Sequence, residues 1–278
     1  MFAVTSPSEA RTIVPLQRAR GTGRVSFVAT PRGTMLGVLY QDGAAKIRLP
    51  KTHAADAEAI LINSAGGLTG GDQLAFAVDV GAGAAATITT QACERVYRSL
   101  AGAAEVSIRL KVGPGAQLAW LPQETILFDR ARLARRIDVD LAPNASFLAV
   151  EAVIFGRRAM GEEVREGALH DRWRIRQAER LLHADDLRME GGITELAQRA
   201  AVLAGAGAMA TVIYVGEDGE RHLEAVRGAI GDRGGSSAFA GKLVARVVAE
   251  DGLELRRRLV PAIIALRGGR PLPKAWQL

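Results

Sequence analysis

VSIRLKVGPGAQLAWLPQ, residues 106–123, carries the pattern on which the fold turns. Val106, Ile108, Leu110 and Val112 alternate with Ser107, Arg109 and Lys111; a period of two marks a strand with one buried face. The strand runs into Gly113-Pro114-Gly115-Ala116. Pro followed by Gly suits a type II turn, whose third residue takes a positive φ, and a second strand leaves the turn. Upstream, LAFAVDVGAGAAATITTQ (74–91) repeats the plan with the corner Gly81-Ala82-Gly83-Ala84. Downstream, RIDVDLAPNASFLAVEAV (136–153) repeats it with Ala142-Pro143-Asn144-Ala145. The third corner position is Gly83, Gly115 and Asn144 in turn, the residue types that best tolerate positive φ. Corners opening at Gly81, Gly113 and Ala142 lie 32 and 29 residues apart, and a period near thirty predicts stacked units. The expected fold is mainly β, a stacked or helical β-sheet body with a few helices, two of them toward the C-terminus.

Outward from this core, EAILIN (58–63) reads as a strand and GVLYQDGAAKIRL (37–49) as a hairpin closed by Asp42-Gly43. Trp173 and Ile175 alternate with Arg172, Arg174 and Arg176, a strand with one wet face. Glu220–Ile230 reads as a short helix. Leu253–Arg267 places Leu255, Leu259, Ile263 and Leu266 on one helical face with Arg256, Arg257 and Arg258 mostly off it. Pro261 kinks or restarts that helix, Gly268-Gly269 ends it, and RPLPKAWQL follows as an extended tail. No low-complexity linker divides the chain, so residues 1–278 are expected to form a single domain, with 1–20 as a flexible N-terminus.

Of the 278 residues, 48% are hydrophobic and 24% charged, a globular composition. A net charge of +6 would suit nucleic acid, but the arginines are scattered and aromatics, at 5%, leave few rings to stack on bases. The densest basic stretch, DRARLARR (129–136), reads as a solvated strand or loop. Cys93, the lone cysteine, excludes an internal disulfide and fits a reducing cytosol. MFAVTSPSEARTIVP lacks the features of a signal peptide, and the uncharged run 200–216 is shorter than a membrane span. The chain is expected to be cytoplasmic, with neither nucleic acid nor membrane as partner.

LINSAGGLTGGDQLAF (61–76) raises a nucleotide-binding alternative through Gly66, Gly67, Gly70 and Gly71. A P-loop needs Lys and Ser or Thr after its last glycine; here Asp72 and Gln73 follow, and an acid repels phosphate. A dinucleotide fingerprint has another spacing and leads into a helix. The glycines read better as a tight bend with close backbone approach. His53, His170, His183 and His222 lack metal-ligand spacing, so no strong metal site is expected. Cys93 stays a candidate ligand, although a lone cysteine is more often a small buried residue. Glu162-Glu163 and Asp185-Asp186 read as solvated turns. No catalytic constellation stands out, and the chain reads as non-enzymatic. A nucleotide-binding enzyme using the Gly66–Gly71 loop and a basic nucleic-acid-binding module remain as alternatives.

AGGLTGGDQL, TTQACERVYRS (89–99), WLPQETILFD (120–129), FLAVEAVIFGRRAMGE (147–162) and RPLPKAWQL together resemble urease accessory protein D, also called protein H, in order from about residue 20 to the C-terminus. The chain departs from the usual family pattern at Ala65, Arg95-Val96 and Val150. The resemblance implies a β-rich, non-catalytic scaffold that binds apo-urease and the accessory proteins F and G, of which G is a GTPase. It also implies no tightly bound cofactor and transient passage of nickel to the urease active site, whose metal-bridging lysine is carbamylated.

A conduit needs ligands that admit the ion and release it, and carboxylates and amides meet that need better than several imidazoles or a thiolate. Gln91 and Gln123 both fall seven residues after the alanine that closes their corner, Glu124 eight and Glu151 six. In stacked units these lie at similar height, with Asp72 on the approach from the glycine bend. They are candidates to line a polar passage. Because one residue of offset flips a side chain to the other face, Glu124 and Glu151 alternatively pair with arginines or cap strands.

Overall fold

All three predicted corners close as four-residue turns and stack on one another. In the computed structural model, which describes residues 17–51, 56–157 and 160–277, Ala84 N–H donates to the Gly81 carbonyl at 3.0 Å, Ala116 to Gly113 at 3.1 Å and Ala145 to Ala142 at 3.2 Å. Gly83, Gly115 and Asn144 take φ of 67°, 64° and 59°. Gly83 N–H reaches the Pro114 carbonyl, Gln117 N–H that of Ala84 and Ser146 N–H that of Ala116, each at 2.9 Å. The closing alanines are buried, which leaves no room for a larger side chain there. A Cβ at Gly115 would meet nothing within 4 Å, so the cost of a side chain is backbone strain alone. Gly115→Val is expected to lower stability by about 1–3 kcal/mol and Gly115→Asn far less, read from urea midpoints. Equal midpoints for Val and wild type would contradict the corner's role.

Each corner hands the chain from one sheet to the other. Strands β5 (Gln73–Val80), β8 (Ala104–Val112) and β11 (Arg132–Leu141) lie in the first sheet; β6 (Ala85–Thr90), β9 (Gln117–Leu121) and β12 (Ser146–Phe155) lie in the second. Within each sheet these strands are parallel and in register, Phe76 beside Ile108 beside Ile137 and Ala86 beside Leu118 beside Phe147. The first sheet is completed by β1 (Arg20–Thr30) and β2 (Gly33–Gly43) at one end and by β13 (Gly167–Gln177) and β14 (Arg180–Gly191) at the other. The second gains β3 (Ala45–Arg48) and β4 (Ala57–Asn63) at one end, and β15 (Ala208–Val215), β16 (Gly234–Phe239) and β17 (Lys242–Ala249) at the other. Short strands β7 (Glu94–Val96) and β10 (Thr125–Leu127) run parallel beside the lower part of β12.

The two inner faces enclose the main core, from Phe27, Phe76 and Ile108 to Trp120, Phe147 and Trp173. A second core lies on the outer face of the second sheet, beneath α2 (Leu223–Ile230) and α3 (Gly252–Leu266). The third helix, α1 (Ile193–Gln198), is short. The expected alternation therefore places the strands, and Leu255, Leu259, Ile263 and Leu266 are all buried under α3.

Four details differ from the sequence reading. Asp42-Gly43 closes no hairpin: β2 pairs antiparallel with β1, and β3 pairs with β4 in the other sheet. Gly43, at φ 55°, has Arg20 backbone against its Cα, and Ala44 N–H donates to the Arg20 carbonyl at 2.7 Å, so the chain changes sheet there. Asp185-Asp186 lies within β14, where Asp185 pairs with Arg246 and Asp186 with Arg174. The stretch before Ile230 begins as a 3-10 turn, Gly219–His222. The C-terminal tail folds back at Lys274–Gln277 and buries Trp276, whose Nε1 donates to the Leu121 carbonyl at 3.0 Å. Most of the N-terminal segment expected to be flexible lies outside the described residues; Ala19 is already fixed, its N–H donating to Asp72 Oδ1 at 2.8 Å.

Candidate functional site

A charged cluster interrupts the main core where the two sheets face each other. Arg135 on β11 donates through Nε and Nη2 to Asp171 of β13, at 3.0 and 2.6 Å. Its Nη1 pairs with Glu151 Oε2 of β12 in the opposite sheet and lies 3.3 Å from Thr125 Oγ1. Trp120 Nε1 donates to Glu151 Oε1 at 2.8 Å. Arg135, Glu151 and Asp171 are each 4–6% exposed, so two carboxylates share one guanidinium out of water. Burial pushes the Glu151 carboxyl up although Arg135 opposes it, and Asp171 adds to the rise. The expected solvated stretch 129–136 thus sends Arg135 inward, because Arg135 has the same parity as buried Leu133 and Ile137.

Beside this cluster lies a cavity of about 70 Å³ bounded by Glu151, Arg135, Thr125, Gln123, Thr90 and Glu94 together with apolar side chains. A surface pocket of about 240 Å³ opens on its other side, lined by Asn63, Gly66, Gln91, Cys93 and Glu94 among others. Leu61, Phe76, Thr90 and Glu94 border both, so they form the partition between surface and interior. Glu94 accepts from Asn63 Nδ2 at 3.2 and 3.3 Å. Burial pushes its carboxyl up to about 7 against the Asn63 and Arg95 hydrogen bonds. A carboxyl raised on folding binds more protons in the native state, so its contribution is complete below the unfolded value near 4.5 and is lost as pH rises through about 7. Stability is expected to fall by roughly 2–3 kcal/mol between pH 4.5 and 8 on account of Glu94, at 1.36 kcal/mol per pKa unit, and Glu94→Gln should remove that slope in urea titrations. An unchanged slope in the variant would contradict the assignment.

The sequence-derived candidates divide into three groups. Gln91 is exposed at the mouth, and Gln123 and Glu151 border the inner cavity. Glu124 faces away, toward α3. Its carboxylate takes Arg256 Nε and Nη2 at 2.6 and 2.8 Å, while Gln123 Nε2 donates to the Ala275 carbonyl at 2.5 Å. Together they fasten the C-terminal helix and tail to the β body. Asp72 is a capping residue: Oδ1 accepts Ala19 N–H and Oδ2 accepts Thr69 N–H, both at 2.8 Å. Cys93 Sγ lies 3.3 Å from Glu124 Oε2, and burial together with that carboxylate pushes the thiol up to about 11.

The glycine bend is structural. A Cβ at Gly67 would fall 2.3 Å from the Tyr97 ring and one at Gly70 1.9 Å from Ser99 Oγ. Gly66, Gly67 and Gly71 take φ of 77°, 152° and 90°. The N–H groups of Gly66, Leu68, Thr69, Gly71 and Asp72 all donate within the protein, so most amides of the bend are already engaged. Among the described residues no cluster of three or more His, Cys, Asp or Glu could hold a metal ion, and no helix is long and apolar enough to cross a membrane.

Sequence reading missed Asn63, Glu94, Arg135, Asp171 and Arg256. Arg135 and Asp171 carried a signal: each stands at the core parity of its strand, Arg135 between Leu133 and Ile137, Asp171 between Leu169 and Trp173.

Comparison with known proteins places this architecture. The family profile described as UreD urease accessory protein matches residues 19–277. The urease accessory protein UreD of Rhizobium leguminosarum bv. viciae is 54% identical over 263 residues, 94% of this chain and 96% of that protein. The proteins of the same name from Agrobacterium fabrum (strain C58 / ATCC 33970) and Brucella suis (strain ATCC 23445 / NCTC 10510) are 52% and 50% identical over 270 and 268 residues, covering 97% and 95% of this chain and 95% and 96% of theirs. With a profile and relatives that span nearly its whole length, the chain belongs to the UreD urease accessory protein family.

Proposed function

We propose that the chain acts in urease maturation as a non-catalytic scaffold that binds apo-urease and the accessory proteins F and G, and that nickel crosses its interior on the way to the urease active site. The observation that carries the passage is the partition at Glu94, with amide and carboxylate oxygens on both of its sides. In this reading Gln91 and Glu94 receive the ion at the mouth and Glu151 meets it inside, while Gln123, its amide held by Arg256 and the Ala275 carbonyl, walls the passage. Asp72 and Glu124 hold the walls, through the bend and through α3 respectively. Oxygen ligands without a thiolate suit a cargo that has to leave again. Nickel is cargo here and no resident cofactor is invoked. A proton bound at Glu94 near neutral pH leaves as the cation enters.

The scaffold is tested by co-purification. Tagged chain, expressed with apo-urease and the accessory proteins, is expected to retain them at physiological salt. Retention of none of them would overturn the reading, and measurable GTP or ATP binding by the chain alone would favour a nucleotide enzyme instead.

A further inference from the structure

A second cavity of about 240 Å³ lies on the outer face of the second sheet, where the C-terminal end of α3 and the turn before α2 cover β6, β9, β12 and β15. Ala85 and Ala119 form part of its floor, and these small side chains create the space. Arg267 stands in its wall. Nη1 of Arg267 donates to Thr87 Oγ1 at 3.2 Å, while Nε is buried and has no hydrogen-bond partner among the described residues. The other charges around the cavity are matched. Arg270 pairs with Asp56 at 2.5 Å. Asp218 accepts from Tyr214 Oη at 2.5 Å and is bonded to His222 Nε2 at 3.1 Å. Burial weakens the protonated form of Arg267 and Arg270 adds to that; Asp56 and Glu58 act on it from a distance, and among the described residues it makes no ion pair.

Charges taken out of water are paired in folded proteins, and a buried donor without an acceptor costs its full desolvation. The Nε–H group belongs to the guanidinium edge, Nε with Nη2, that grips a planar carboxylate through two parallel hydrogen bonds. Thr87, Ser146 and Gln117 bring two hydroxyls and an amide to the same space. We propose that this cavity is a carboxylate-binding site toward which Arg267, whose Nε has no surface open to the cavity as the side chain lies, turns its Nε–Nη2 edge to clamp the anion, the neighbouring hydroxyl and amide groups completing its shell. The cavity's size fits a small free carboxylic acid; an Asp or Glu side chain reaching in from a partner would present the same group. None of the cavity's lining residues borders the interior passage, so the site stands or falls independently of it.

The test uses the full chain with sodium acetate and sodium succinate as probes, against sodium chloride at matched ionic strength. Wild type is expected to show a saturable rise in melting temperature with at least one of the acids, and saturation-transfer NMR should show contact with it. Arg267→Lys keeps the charge and loses the fork, and Arg267→Gln loses both. Each is expected to weaken binding about tenfold or more, the equivalent of one charge-assisted hydrogen bond. The NMR contact with wild type decides whether an acid binds even if a variant fails to fold. No response to either acid, combined with weaker partner capture by Arg267→Lys than by wild type, would assign the carboxylate to a partner's side chain. Neither effect, or acid binding that persists undiminished in both variants, would overturn the proposal.

Discussion

Urease produced in cells that lack this chain is expected to contain its assembled subunits, to hold no nickel and to be inactive. The expectation rests on membership of the UreD family over residues 19–277 and on the interior passage proposed above. Under the proposed scaffold role, the chain contributes geometry by bringing the apo-enzyme and its metal source together, and its loss is expected to remove a delivery step without touching the fold of the urease subunits. Metal analysis of urease purified from the deletion, set against the complemented strain, reads the effect directly. Normal nickel content in the deletion would show that delivery does not depend on the chain.

Replacing Arg135 with Met is expected to destabilise the protein by about 3–5 kcal/mol, the range for breaking a buried ion pair from one side. The guanidinium is wedged between Asp171 and Glu151, and burial alone would expel its charge; the two carboxylates outweigh that and hold its proton more firmly than in water. Met fills similar volume but leaves two buried carboxyls without a cation, and both must then take up protons. Arg135→Lys should fall between Met and wild type, since a point charge cannot satisfy Asp171 through two nitrogens at once. Urea midpoints at pH 7 decide the matter. A Met variant as stable as wild type would mean that the cluster contributes nothing to holding the two sheets together.

Much of the fold was legible because its determinants are local. The three corners need a positive φ at a fixed place, and only Gly83, Gly115 and Asn144 meet that need cheaply; the period of two on either side then fixes which face is buried. The Asp42-Gly43 hairpin was misread for the same reason in reverse. A turn signal says that the chain bends, and only the Gly43 contact with Arg20, in another strand, says that it changes sheet.

The site was legible only in part. Counting from the corners led to Gln123 and Glu151, which border the inner cavity, and to Gln91, which borders only the surface pocket. The count could not say which way a chain turns after its strand ends. β9 stops at Leu121, so Gln123 turns to the tail and Glu124 to Arg256, a partner 132 residues away. The Arg135–Asp171 pair spans 36 residues, and Glu151 joins it from the facing sheet. Contacts of that range follow from packing, which no spacing rule reports, although a charged residue at a core parity was a visible prompt.

Nickel content of urease matured with the Glu94→Gln and Glu151→Gln double variant, measured beside partner capture, tests the interior passage most directly. Both substitutions keep side-chain size while removing the carboxylate at the partition and the one inside it. The account predicts that apo-urease and the accessory proteins are captured as by wild type while nickel per active site falls sharply. Full nickel content, or loss of nickel only together with loss of partner capture, would contradict it.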